Sequence, residues 1–227
     1  MVIAIGNQKG GSGKSTIALN LAIKLLEFSD KVLVMDTDPQ KSIESFTNIR
    51  ESRNDCEKLP HFTLANRTGN ITESLKQMVG IYDYVVIDTR GSDSQESRKA
   101  MICADKLLVP TTPSQLDIDV LIENLGRVKE IKDINENLSV SILMNKINPN
   151  PFLAKELADF KEAIFRINKS IGEDFTCLES SLCERISYKR AVSEGLGITE
   201  YIDIKAKNEF EAFFSEFLEN LNQSKSA

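Results

Sequence analysis

The octet Lys9-Gly10-Gly11-Ser12-Gly13-Lys14-Ser15-Thr16 constrains this chain more than any other stretch. It follows an apolar run, Val2–Ile5, and opens a helical pattern near Lys14. Glycines let the backbone curl so that successive N–H groups converge on phosphate oxygens, and the following helix adds its dipole. Strand, glycine turn and helix in that order are the context in which such a loop holds phosphate. The common spacing G-x-x-x-x-G-K-[ST] fails, because its first position falls on Gln8; the variant K-G-G-x-G-K-[ST] fits in full. In that frame Gly10–Thr16 form the cradle, Lys14 sits on the β- and γ-phosphates, and the Ser15 hydroxyl is a Mg²⁺ ligand. Lys9 stands on the opposite limb of the loop from Lys14. A cation there is best used against a nucleotide held by a second subunit.

The rest of the chain alternates strand and helix. Strands are expected at Val2–Ile5, Val32–Met35, Phe62–Leu64, Tyr84–Ile87, Lys106–Val109 and Val140–Met144, with Pro110 closing the fifth. Helical patterns run from Lys14, over 42–50, over 71–79 with Asn70 as N-cap, over 94–103, and from Gln115 to about Ile134. In the last of these Leu116, Val120, Leu121, Leu125 and Val128 share a face. The strands are apolar without alternation, which implies burial on both sides. The expected fold is α/β, a mostly parallel twisted sheet with helices on both faces, of the P-loop NTPase kind. Ligand loops then belong at the carboxyl ends of the strands. Gly10–Ser15, Asp36–Gln40, Asp88 and Asn145 all fall there.

With 227 residues, a single domain over 1–227 is expected. A net charge of −6 argues against a strongly basic nucleic-acid binder and leaves room only for a local patch. The four cysteines show no C-x-x-C spacing, consistent with a reduced, cytoplasmic protein. His61 is the only histidine, which leaves little for imidazole catalysis or zinc; it reads as structural. No segment is apolar enough to span a bilayer, and no signal peptide is seen.

Lys9–Thr16 resembles the deviant Walker A box of the ParA/MinD ATPases. Met35-Asp36-Thr37-Asp38-Pro39-Gln40 is similar to that family's D-x-D-P-Q box, and Tyr84–Thr89 resembles its Walker B strand. The resemblance implies ATP and Mg²⁺ as cofactors. It makes Lys9 the signature lysine that meets the partner subunit's nucleotide and Asp38 the residue that polarises the attacking water. Asp88 is implied in the Mg²⁺ shell, Asp36 at Mg²⁺ through water or as a cap on the strand end, and Asn145 at the adenine edge. One departure follows Walker B, where Arg90-Gly91 replaces a proline-containing pair and brings a cation near the site.

The last third carries the most basic cluster, around Glu184–Ala191. By resemblance Arg185, Lys189 and Arg190 would contact DNA phosphates without reading sequence, with Lys205 and Lys207 as an extension. A solvated helix face is the competing account. The last helix, 208–221, sets Phe210, Phe213, Phe214, Phe217, Leu218 and Leu221 on one stripe. Its polar side carries Glu209, Glu211, Glu216 and Glu219, which anionic lipid would repel, so packing on the domain is expected and no membrane partner.

The resemblance thus implies a slow, partner-stimulated ATPase of the short ParA type, without an N-terminal helix-turn-helix domain. It would form a homodimer on ATP, bind non-specific DNA, sit on the nucleoid, and segregate plasmid or chromosomal DNA with a centromere-binding ParB-type adaptor. The rivals are a MinD-like membrane-associated positioning ATPase, an iron–sulfur reductase of the nitrogenase iron-protein type, and an ATP-gated scaffold.

Overall fold

Apolar strands that are buried on both sides need helices on both faces, and the computed structural model supplies them. It describes residues 1–112, 115–149 and 154–223. The strands are β1 (Val2–Ile5), β2 (Val32–Asp36), β3 (Thr63–Asn66), β4 (Tyr84–Asp88), β5 (Lys106–Thr111), β6 (Ser139–Ile147) and β7 (Thr176–Cys183). They form one sheet in the order β3-β2-β4-β1-β5-β6-β7, every neighbouring pair parallel. β1 is central, so the glycine loop leaves the middle of the sheet, where the strand order reverses and ligands bind.

Successive side chains on each strand point to opposite faces. Ile3, Ile5, Val32 and Val34 pack with α1 (Lys14–Leu25), α2 (Ser42–Glu51) and α8 (Ile204–Gln223). Val2, Ala4, Leu33 and Met35 pack on the other face with α3 (Ile71–Val79), α4 (Gln95–Cys103), α5 (Gln115–Lys132) and α6 (Ala154–Ile171). The short α7 (Ile186–Ser193) follows β7.

α1 is buried along nearly its whole length, including Asn20 and Lys24. Both polar side chains are satisfied, as burial demands. Asn20 Oδ1 accepts from the Ile198 N–H, while its amide donates to Thr16 O at 2.7 Å. Lys24 pairs with Glu27 and Glu211, each at 2.7 Å.

α8 begins earlier than expected and packs on the domain. Phe210, Phe213, Phe214 and Phe217 are buried, each contributing about 1.5–3 kcal/mol. Glu209, Glu211 and Glu216 are engaged as well: the Glu216 carboxylate accepts the Glu179 and Ser180 N–H groups at 2.7 and 2.8 Å, covering part of the outer edge of β7. Leu221, also expected on the stripe, lies outside the residues whose side chains are described, as does Leu116 of α5.

Several expectations need correction. β5 does not close at Pro110 but runs through it to Thr111. Leu108 O accepts the Gly6 N–H and Pro110 O accepts the Asn7 amide, so Pro110 faces β1 just past the end of that strand. The missing N–H falls where no ladder bond is due. β6 continues to Ile147, so Asn145 lies within the strand rather than after it. Asn70 occupies the N-cap position of α3 without a side-chain bond, whereas Ser94 caps α4 by accepting from the Ser97 N–H. β7 escaped the sequence reading because it is a half-buried edge strand of mixed polarity.

Candidate active site

The glycine loop is held from three sides. At its start, the Asn7 amide donates to Pro110 O at 2.7 Å, and Asn7 Oδ1 accepts the Lys9 N–H at 2.9 Å. At its end, Gly13 takes φ 93° and opens α1. Lys14 folds back across the loop, and its ammonium donates to Lys9 O at 3.0 Å. Burial lowers its pKa, while Asp88 and Asp38 oppose the shift. Gly91 closes the third side: a Cβ there would lie 3.0 Å from Gly10 Cα and 3.1 Å from Lys14 Nζ. The glycine after Arg90 thus packs closely on the loop, where an added Cβ would make Gly10 and Lys14 give way. Arg90 itself is exposed and borders the same cavity.

Asp36 and Asp88 end neighbouring strands in register, which brings their carboxylates together, with Asp88 close to Lys14. Each is followed by a threonine that ties the strand ends. Thr37 donates from N and Oγ1 to Asp88 O at 3.0 and 2.8 Å, and Thr89 Oγ1 donates to Ile5 O at 2.8 Å. These two threonines were not singled out in the sequence; the repeated Asp-Thr at strand ends was the available signal.

Asp88 is fully buried, and burial pushes its pKa up to about 7. Asp36 adds to the rise, while the facing Ser15 hydroxyl and Lys14 oppose it. Neither Asp88 oxygen has a formed hydrogen bond. Asp36 is also raised by burial; its Oδ1 accepts the Asp38 N–H at 2.9 Å, and its Oδ2 has no partner. Buried carboxylate oxygens without donors are costly unless something completes them. An all-oxygen set beside a serine hydroxyl is what a hard divalent cation uses, so these residues fit Mg²⁺. Asp38 stands outside this buried pair, at the cavity wall, where its Oδ1 accepts the Gln40 N–H at 3.0 Å.

The cavity over the loop has a volume of about 640 Å³. Gly10–Ile17, Ser12 excepted, form its floor; Asp38–Gln40 and Arg90–Gly91 form one wall; Cys183–Arg185, Tyr188 and Lys189 form another. Asn145 and Lys146 also border it. Asn145 donates to Ser12 O at 2.7 Å and Lys146 Nζ to Gly11 O at 2.6 Å. Lys146 was not proposed as a site residue, and nothing local marks it.

The expected basic patch divides. The Arg185 guanidinium is paired with both oxygens of Glu209 and lines the cavity, so its charge already has a partner within the domain. Lys189 and Arg190 are exposed, as are Lys205 and Lys207. The four cysteines are free thiols, and the described residues hold no cluster of His, Cys, Asp and Glu able to bind a metal by themselves. No helix among them is long and apolar enough to cross a membrane.

The family described as ATPase MipZ matches residues 1–134, the segment that carries the glycine loop and both buried carboxylates. The chain belongs to the MipZ/ParA family of ATPases. Membership makes it an ATP-binding ATPase and agrees with the resemblance read from the three boxes. The carboxysome-distribution protein A of Gloeobacter kilaueensis is 31% identical over 98% of this chain and 94% of its own length. The chromosome-partitioning ATPase Soj of Thermus thermophilus is 27% identical over 72% of this chain and 78% of its own. Among solved structures, apo McdA of Cyanothece superposes with a TM-score of 0.76 at 22% identity, covering 95% of this chain and 98% of that one. That likeness bears on the fold alone.

Proposed function

We propose that this family ATPase is a positioning switch: ATP drives a homodimer that holds non-specific DNA, and hydrolysis releases it. The observation that carries the reading is the pair of buried carboxylates at the phosphate loop, Asp36 with Asp88 next to Lys14, whose oxygens without donors call for a cation. Ser15, Asp88 and Asp36 would hold Mg²⁺, which neutralises phosphate charge when bound. Lys14 would bind the β- and γ-phosphates, and Asp38, outside the buried pair, would orient the attacking water. Lys9, on the loop's outer limb, would meet the nucleotide of the second subunit.

For DNA, the support is the exposed pair Lys189 and Arg190 beside the cavity, a patch that dimerisation would double. An adaptor would stimulate hydrolysis. Segregation of a replicon with a ParB-type, centromere-binding adaptor fits the likeness to Soj. A protein assembly as cargo is the second reading, favoured by the relative that aligns over 98% of this chain. A MinD-like role is disfavoured, because the face of α8 that would enter lipid is buried in the domain.

The test is co-sedimentation with random duplex DNA and with anionic liposomes, under ATP, ADP and no nucleotide. ATP-dependent, salt-sensitive DNA binding is expected; binding to liposomes alone would sink the reading. Deleting the gene then separates the cargoes. Loss of a replicon without selection marks segregation, and misplaced protein bodies with the replicon retained mark the second reading.

A further inference from the structure

Adjacent residues on a regular strand point to opposite faces, so Asn145 and Lys146 should not both reach the same loop. They do, because β6 bulges there. Between the paired positions Met144↔Ser181 and Ile147↔Cys183, β6 advances three residues while β7 advances two. The extra residue is accommodated by Lys146, which takes φ 55°, the left-handed region that a lysine enters only at a cost. The bulge turns both side chains onto consecutive carbonyls of the glycine loop: Asn145 Nδ2 lies 2.7 Å from Ser12 O, and Lys146 Nζ 2.6 Å from Gly11 O. Gly13 leaves room for this, since a Cβ there would stand 2.3 Å from Asn145 Nδ2.

A trans peptide is planar, and its C=O and N–H point in opposite directions. Holding Gly11 O toward β6 therefore turns the Ser12 N–H away from it, and holding Ser12 O does the same for the Gly13 N–H. Two successive N–H groups are thereby aligned in the manner of an anion nest.

We propose that Asn145 and Lys146 form a positioning clamp that presets the phosphate loop before nucleotide arrives, Asn145 acting on the loop through its Nδ2. The proposal rests on the nucleotide site described above. The loop's receiving form is then built into the sheet and is not induced by the ligand. The strained backbone at Lys146 persists because it delivers the second contact.

Calorimetric titration of Asn145→Ala, Lys146→Met and Lys146→Gly with Mg·ATP, Mg·GTP and inorganic tripolyphosphate tests this. All three variants should weaken every one of these ligands, the two Lys146 variants by about tenfold, the scale of one charge-assisted bond, and Asn145→Ala by several-fold up to about tenfold, the scale of one neutral bond. In the two Lys146 variants preference between the two nucleotides should not change. Lys146→Gly relieves the φ without supplying an amine, so wild-type binding by that variant would overturn the clamp. Loss of ATP affinity alone in Asn145→Ala, with tripolyphosphate unaffected, would overturn it in favour of base reading. Lys146 is exposed, so the unliganded melting temperature of Lys146→Met should match wild type; a large drop would mark a structural role and overturn the proposal. Wild-type protein that takes up neither nucleotide nor tripolyphosphate would instead remove the nucleotide-site reading itself.

Discussion

Arg50 and Asp88 are both buried charged side chains, and they differ in how completely the charge is matched. Arg50, at the end of α2, is 1% exposed, and each of its five N–H donors has an acceptor. Nε and Nη2 donate to Pro60 O at 3.2 and 2.9 Å, Nη1 to Gly195 O at 2.9 Å, and the fork closes on Glu200 at 2.7 and 2.8 Å. Gly195, at φ 69°, has no room for a Cβ, which would lie 2.7 Å from Arg50 Cα. Asp88 is equally buried, yet neither of its oxygens is hydrogen-bonded. A satisfied buried charge ties elements together; an unsatisfied one holds energy for a ligand to recover. The first is a structural knot and the second an active site.

The largest effect should come from breaking the knot. Arg50→Ala leaves two carbonyls unpaired and Glu200 with the Gly197 N–H but no counter-charge, and should cost about 3–5 kcal/mol in denaturant unfolding, without changing nucleotide affinity per folded molecule. A cost below about 1 kcal/mol would mean that the network is decorative.

Asp88→Asn is the converse. Hydrolysis should fall at least about a hundredfold, measured by phosphate release, because the cation loses its buried ligand. Unliganded stability should rise. Asp88 titrates near 7 when folded and near 4 when unfolded, so the native state holds its proton more tightly. Its ionisation therefore destabilises the fold progressively from about pH 4 to pH 7, fully so above that, and the asparagine variant should gain about 2–4 kcal/mol at pH 8 and little at pH 4. A variant that is less stable at pH 8 would remove the contrast with Arg50.

The same ionisation couples to Mg²⁺. Affinity for Mg·ATP should strengthen about tenfold between pH 6 and 8, with proton release seen as a buffer-dependent heat. A flat profile would argue that Asp88 is already ionised in the free protein.

Smaller effects sharpen the picture. Gly91→Ala crowds Gly10 and Lys14 and should weaken ATP several-fold, whereas Gly80→Ala, with nothing within 4 Å of its Cβ, should not. Smallest of all, Lys189→Ala should lower DNA affinity modestly and reduce the salt slope by about one, while Arg185→Ala acts on stability through Glu209. Equal DNA losses from both would restore the single basic patch.

Fold class and the core of the site were legible in the sequence because their signals are local. Apolar runs and helical spacing set the order of elements. The glycine loop, Asp36 and Asp88 each stand at the end of a strand, so placing the strands placed the chemistry. α8 could be read as packed because its glutamates share the helix with its phenylalanines. What the tertiary structure alone decided depends on partners far apart in the chain. Pro110 stays in β5 because β1 ends beside it. Arg185 pairs with Glu209, 24 residues on. Arg50 meets Glu200 across 150 residues, and a bulge against β7 aims Asn145 and Lys146 at carbonyls more than 130 residues upstream. Short-range periodicity carries no information about such meetings; only the closed sheet brings the groups within hydrogen-bonding distance.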